Sequence, residues 1–208
     1  MQIVLVRHGA TDWNLEQRCQ GSSDRDLSAV GQRQAEEIAA LLRGENLSAV
    51  YASDLKRARQ TAEVISQPHH LAVRIDASVR ELDHGQLEGL TFNQIRENFG
   101  DFLARWRTEP AELQVPGGER LIDVAERAWT GLNQIAERHA AADNIVVVSH
   151  NFPIVGIVCR ITGTHLNNYR NFHLDPCGIS RLHSNGAGRW QVTQVNSQEY
   201  PARSNAEE

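Results

Sequence analysis

The sequence has little of anything that would take it outside an ordinary globular class. It holds three cysteines, Cys19, Cys159 and Cys177, in 208 residues. An odd number, widely spaced and without a CxxC pair, fits reduced thiols and argues against a disulfide framework or a cysteine zinc site. Long hydrophobic runs are missing too: the strongest, residues 145–148 and 154–159, fall far short of the roughly 20 apolar residues that cross a bilayer. No membrane span is expected. Residues 1–6 reach Arg7-His8 before a signal-peptide core of adequate length can form, so the expected location is the cytoplasm. Neither a glycine-rich nucleotide loop nor a GxSxG elbow is present. Lysine is nearly absent, Lys56 standing alone among 21 basic residues, and the net charge is −5. That balance gives no general attraction for nucleic acid or anionic lipid. An anionic small molecule would need a local basic pocket, for which arginine is the better phosphate ligand.

What is there reads as one α/β domain. Hydrophobic residues at 40% and charged residues at 23% are the usual globular mix. Apolar runs alternate with helical periodicity, predicting a three-layer α/β/α architecture with a mainly parallel central sheet. Residues 2–6 read as a buried first strand. Ser28 caps a helix carrying Ala35, Ile38, Ala39 and Leu42, which ends near Gly44. Strands at 49–53 and 71–75 flank a helix over 54–66. From 85 to 118 the rhythm breaks into a helical excursion with one or two helices, closed by Pro116-Gly117-Gly118. A long helix follows over 119–139, then an interior strand at 144–149, and Pro153 sits in the first turn of the next helix. Segments 178–184 and 189–195, around Asn185-Gly186, predict a hairpin adding an antiparallel edge. The domain is expected to span 1–200, with a polar tail from Pro201. A homodimer is left open.

The chemistry concentrates at strand ends, where ligands bind in open α/β sheets. Arg7-His8-Gly9 follows the first strand and Ser149-His150-Asn151 follows the strand at 144–149, so two histidines from distant positions converge above one sheet. Each alone is as easily a satisfied structural histidine. Arg57, early in the helix after the second strand, can point back to the same crevice. Two arginines, two histidines and nearby helix N-termini would offset a phosphate dianion despite the acidic net charge. Glu81, after the third strand, is the candidate for proton transfer.

Taken in order, Leu5-Val6-Arg7-His8-Gly9, Gln20-Gly21, Leu27-Ser28-Ala29-Val30-Gly31, Ser53-Asp54-Leu55-Lys56-Arg57-Ala58, the run from Arg80-Glu81-Leu82-Asp83-His84-Gly85 to Gly89, Pro116-Gly117-Gly118-Glu119 and Val148-Ser149-His150 span nearly the whole chain. In these motifs the sequence resembles the histidine phosphatase superfamily, also called phosphoglycerate mutase-like, and within it the cofactor-independent phosphatases. The resemblance implies that His8 is the phosphorylated nucleophile, that Arg7, Arg57 and His150 bind the phosphoryl group, and that Glu81 is general acid and base. It also implies that Asn14, Gln20 and Gly21 complete the pocket, and that no metal or other cofactor takes part. A protonated His150 is expected to add to the cationic set. Asn151 departs from relatives with glycine after the second histidine; its amide either meets substrate or stabilises the turn. The chain lacks the long insertions and the Arg-x-Tyr after the acid residue that mark phosphoglycerate mutases, which favours hydrolysis. The Glu-Leu-Asp-His-Gly run is similar to that of metal-independent phosphoserine phosphatases, so His84 is expected to pair with a substrate carboxylate and L-phosphoserine to lead the substrates. A broad-specificity phosphatase and an α-ribazole phosphatase are the alternatives.

Three other readings carry less. Asp24-Arg25-Asp26-Leu27-Ser28 superficially matches the Mg²⁺-dependent aspartate-nucleophile pattern, but follows a polar loop where that pattern needs a strand end. His69, His70, His165, His173 and His183 match no compact metal-ligand spacing. A catalytically dead phosphoprotein-binding module would have lost the nucleophile or the acid, and both are present.

Overall fold

Alternate residues of the interior strands serve opposite faces of one sheet. The computed structural model describes residues 1–141, 143–184 and 189–197. Its elements are β1 (Gln2–Arg7), α1 (Asp12–Leu15), α2 (Ala29–Leu42), β2 (Ala49–Ala52), α3 (Lys56–Ser66), β3 (Val73–Ile75), α4 (Phe92–Asn98), α5 (Gly100–Thr108), α6 (Leu121–Glu137), β4 (Asn144–Ser149), α7 (Asn151–Thr162), β5 (Ile179–Ser184) and β6 (Trp190–Ser197). The strand order is β3-β2-β4-β1-β5-β6. The first four are parallel, while β5 runs antiparallel to both β1 and β6. Ile3, Leu5, Ile145 and Val147 pack beneath α6 and α7. Val4, Val6, Val146 and Val148 face the other way, onto α2 and α3. Strands buried on both faces explain why these segments read as continuous apolar runs. The three-layer α/β/α arrangement expected from the sequence is the one observed.

Element boundaries differ from the periodicity in instructive places. The helix expected from Asp54 begins at Lys56, because the Asp54 carboxylate is engaged by Arg80 Nε at 2.9 Å. The Lys56 N–H donates instead to Asp24 Oδ1 at 2.7 Å, so a side chain from a distant loop satisfies a donor that local capping leaves open. The helix expected from Glu119 begins at Leu121; the Glu119 N–H donates to the Asp83 carbonyl at 2.9 Å, tying that turn to the acid-bearing loop. The one-turn helix α1, closed by a Thr11–Asn14 capping box, carries too few residues for periodicity to show. The excursion is α4 and α5, gathered with Leu82, Val115, Leu121 and Val124 into an apolar cluster of its own. The Asn185-Gly186 turn and the tail from Pro201 lie outside the described residues, although the two hairpin strands are seen and paired. Among the described residues no helix is long and apolar enough to cross a membrane.

β1 and β4 lie side by side, Arg7 opposite Ser149. From β1 the chain departs toward α2 on one face, and from β4 toward α7 on the other. The sheet therefore opens at this pair of carboxyl ends, the crevice in which α/β sheets bind ligands.

Candidate active site

His8 begins the loop after β1, and its N–H donates to the Ser149 carbonyl at 3.0 Å, joining the two strand ends. Gly9 must be glycine: a Cβ there would run into the Gly31 carbonyl of α2. The Gly9 N–H donates to Thr61 Oγ1 at 3.0 Å, and that hydroxyl donates to the Arg57 carbonyl at 2.8 Å. The loop is thus tied to α3. The His8 ring is buried, with its centroid 5.0 Å from that of His150. His8 Nδ1 lies 2.7 Å from the Gly9 carbonyl. A carbonyl only accepts, so Nδ1 carries the proton and Nε2 carries the lone pair. Arg57 Nε donates to that Nε2 at 3.2 Å. Burial, then the charges of Arg57 and Arg7, hold the His8 imidazole well below its ordinary pKa, hence neutral.

Arg57 is fully buried yet satisfied, donating to the Ser23 and Gly21 carbonyls at 2.9 and 2.8 Å. Burial lowers it to about 10, which still leaves it charged at neutral pH. The loop it grips is shaped from the other side by Glu88, whose carboxylate accepts the Ser22 and Ser23 N–H groups at 2.6 and 2.9 Å. Gly21 adopts φ +57° against Glu88, where a Cβ would collide with the carboxylate. Arg7 donates through Nη1 to the Leu174 carbonyl at 2.5 Å. Four buried polar atoms nearby have no partner among the described residues: Arg7 Nε, Gln20 Oε1 and both ring nitrogens of His150. Buried polar groups are rarely left so. Arg7 and Gln20 both line the cavity described below.

Glu81 is buried opposite, and its carboxylate accepts the N–H groups of Leu82 at 2.9 Å, Phe152 at 3.1 Å and Asn151 at 3.1 Å. Burial raises its pKa and outweighs those amides and the arginines. From α6, Arg127 donates to the Glu81 carbonyl at 2.8 Å and to Glu119 Oε2 at 3.0 Å. The same Glu119 oxygen accepts the Asp83 N–H at 3.0 Å. This clamp is the structural use of the Pro116-Gly117-Gly118-Glu119 motif.

Arg7, His8, Asn14, Gln20, Gly21, Arg57, Glu81, His84 and Asn151 line one cavity of about 310 Å³. His150 stands behind His8, fully buried and outside the lining. The expectation of a protonated His150 is corrected: burial first, then Arg57, His8 and Arg7, hold it well below its ordinary pKa, so its imidazole is neutral. His84 is likewise neutral, lowered to about 4 chiefly by burial, and offers an N–H rather than a charge. Asn14 Oδ1 accepts the Thr11 N–H at 3.0 Å in the α1 capping box, which leaves its amide N–H₂ for the cavity. Asn151 serves the Glu81 carboxylate through its backbone while its half-buried side chain lines the wall. The cavity also takes Arg18, Cys19, Phe152, His173 and Leu174, which sequence reasoning missed. Arg18 and Cys19 lie between Asn14 and Gln20, a signal that was available. His173 and Leu174 come from a distant loop with no motif. Among the described residues no three of His, Cys, Asp or Glu stand close enough to hold a metal ion. A larger cavity, about 540 Å³ between α6 and α7, is walled partly by Glu109, Glu112 and Glu126. Those carboxylates would repel a phosphate.

A buried histidine pair, two guanidiniums and a carboxyl of raised pKa at a sheet's switch point define a hydrolase of the phosphatase class. The chain belongs to the histidine phosphatase superfamily (branch 1), which it matches over residues 3–198. It is 34% identical over 183 residues to Phosphoserine phosphatase 1 of Hydrogenobacter thermophilus, covering 88% of this chain and 86% of that protein. It is also 34% identical over 182 residues to a Klebsiella pneumoniae protein named probable phosphoglycerate mutase GpmB, covering 88% and 84%. In structure it superposes on a mycobacterial glucosyl-3-phosphoglycerate phosphatase complexed with VO3 at TM-score 0.85 and 28% identity, covering 94% of this chain and 98% of that one.

Proposed function

We propose that this chain hydrolyses phosphomonoesters without a metal, through a phosphohistidine on His8. The observation that carries the reading is the tautomer of His8: the Gly9 carbonyl holds the proton on Nδ1, so the lone pair on Nε2 is directed to the cavity beside Arg57. That lone pair attacks phosphorus as the ester oxygen departs, and Arg57 Nε turns its N–H from the ring to a phosphoryl oxygen. Arg7 and Arg57 neutralise the equatorial oxygens, the main task in phosphoryl transfer, and neutral His150, its ring 5.0 Å from that of His8, backs the nucleophile from behind. Glu81, whose pKa burial raises, gives its proton to the leaving alkoxide. As carboxylate it then takes a proton from water, which attacks phosphorus, breaks the N–P bond and releases phosphate with His8 restored.

The finer reading is a small carboxylated ester, L-phosphoserine first. It is supported by the name of the Hydrogenobacter relative and by His84 in the cavity wall, three residues beyond the acid. The mutase reading has the Klebsiella relative's name behind it, but the sequence lacks the insertions that mark mutases. The three unpaired cysteines support a cytoplasmic location. Comparing kcat/KM across phosphoserine, 3-phosphoglycerate, p-nitrophenyl phosphate and a nucleoside monophosphate with EDTA present tests both levels. Turnover that survives EDTA and is highest for phosphoserine is expected. Activity lost to EDTA and restored by Mg²⁺ would overturn the mechanism; an even profile across the panel would overturn only the substrate.

A further inference from the structure

A second cavity of about 380 Å³ adjoins the first, and the two share Cys19 and His84 as common wall. Its chemistry is opposite. The excursion helices roof it with Phe92 and Ile95 from α4 and Phe102, Leu103 and Trp106 from α5, and Tyr169 adds a further wall. Phe92 is 51% exposed, unusual for a phenylalanine, and it stands on this chamber. The junction is aromatic: the Phe152 ring of the phosphate cavity lies 5.5 Å from His84, 5.4 Å from Tyr169 and 6.2 Å from Trp106. Cys19, pushed up to about 12 mainly by burial, and neutral His84 put no charge between the compartments. Two arginines complete the lining, Arg107 and Arg170. Both are exposed, so they occupy the solvent end of the chamber. Neither is among the arginines held by a carboxylate in the described structure. Arg170 is oriented by stacking on Tyr169 at 4.6 Å and by donating to the Trp106 carbonyl at 3.3 Å.

We infer that this chamber is a leaving-group subsite giving the enzyme a further activity: hydrolysis of phosphomonoesters whose leaving group is an apolar or aromatic stem ending in a carboxylate. The proposal rests on the phosphatase reading above and adds a substrate class to it. An ester with its phosphoryl group among Arg7, Arg57 and His8 must lead its leaving group past Glu81, and the compartment beyond His84 offers apolar contact to the stem. The guanidiniums at the open end, neither held by a carboxylate, then meet the only charge such a stem carries. The reaction is the same hydrolysis, with the alcohol protonated by Glu81.

The test uses three alkyl esters with comparable leaving alkoxides: ethyl phosphate, 2-phenylethyl phosphate and 2-(4-carboxyphenyl)ethyl phosphate. The full chain is expected to show kcat/KM about tenfold or more higher for the phenyl ester than for ethyl phosphate, the scale of filling an apolar pocket. A further gain of about three- to tenfold for the carboxylated ester should shrink with added salt. In Arg107→Ala/Arg170→Ala, and to a lesser degree in Arg107→Ala alone, the ratio of carboxylated to uncarboxylated ester should fall toward one. Equal rates for ethyl and phenylethyl phosphate, with ordinary hydrolysis of both, would overturn the chamber and leave the phosphatase reading standing. An unchanged ratio in the arginine variants would overturn the anionic end. No hydrolysis of any ester, p-nitrophenyl phosphate included, would overturn both.

Discussion

The two ends of the cleft are built on different principles. At the phosphate end, buried polar side chains are held from several sides: Arg57 by three acceptors and the Glu81 carboxylate by three amides. At the end proposed to take the leaving group the wall is side-chain packing on α4 and α5, backed by an apolar cluster. Charge develops at phosphorus, where dipoles and cations lower the barrier most when little reorganisation is asked of them. The leaving group needs shape and a few contacts, which helical packing can alter without disturbing the strand ends. Substitutions at the first end should therefore cost rate for every substrate, and substitutions at the second should change which substrate is preferred.

The largest effect is expected for His8→Ala, a loss of about 10⁴-fold or more on all esters, as for other covalent nucleophiles. Steady-state kinetics on phosphoserine and p-nitrophenyl phosphate checks it, and a loss confined to one substrate would break the division. Next comes Glu81→Gln, with an expected loss of about 10²–10⁴-fold on alkyl esters. The loss should be smaller on p-nitrophenyl phosphate, whose leaving group needs no proton; equal losses would remove Glu81 as leaving-group acid. His84 stands at the boundary between the two ends. His84→Ala should lower kcat/KM for phosphoserine by about 10- to 150-fold, the value of a hydrogen bond to a charged group, and spare p-nitrophenyl phosphate. Parallel losses would assign His84 to the structure of the phosphate end.

The smallest effect is on stability. The pKa values of His8, His84 and His150 are all lowered on folding. Below about pH 6.5 the unfolded chain binds more protons at these positions, so stability falls on acidification. Glu81, raised on folding, acts in the opposite sense, its contribution being lost as pH climbs from about 4.5 through its folded pKa. Three groups against one predict that Tm drops on the order of 5 °C between pH 7 and 5. His84→Gln should flatten part of that slope; an identical slope would show that the buried imidazole is not the source.

Legibility in the sequence followed the same division. The strand ends were readable because Val4, Val6, Val146 and Val148 lie in runs buried on both faces, and because the motifs place Arg7-His8 and His150 directly after them. The helices α2 and α6 were readable from apolar spacing. The charge state of His150 was not, since it depends on Arg57 and Arg7 converging from other elements. Leu174 and His173 reach the site because Arg7 holds the Leu174 carbonyl, a contact with no local signature. The second cavity was hidden as well: α4 and α5 read as an excursion, and what they roof is set by where Cys19, Leu87 and Tyr169 pack beneath them.

His8 Nε2 is proposed to carry the phosphoryl group between the two half-reactions. Rapid mixing with ³²P-labelled phosphoserine, an alkaline denaturing quench and peptide mapping test it most directly. Label is expected on the peptide containing His8, stable in base, lost in acid and absent from His8→Ala. Label that is lost in base and persists in His8→Ala, as an aspartyl phosphate at Asp24 or Asp26 would give, would contradict it.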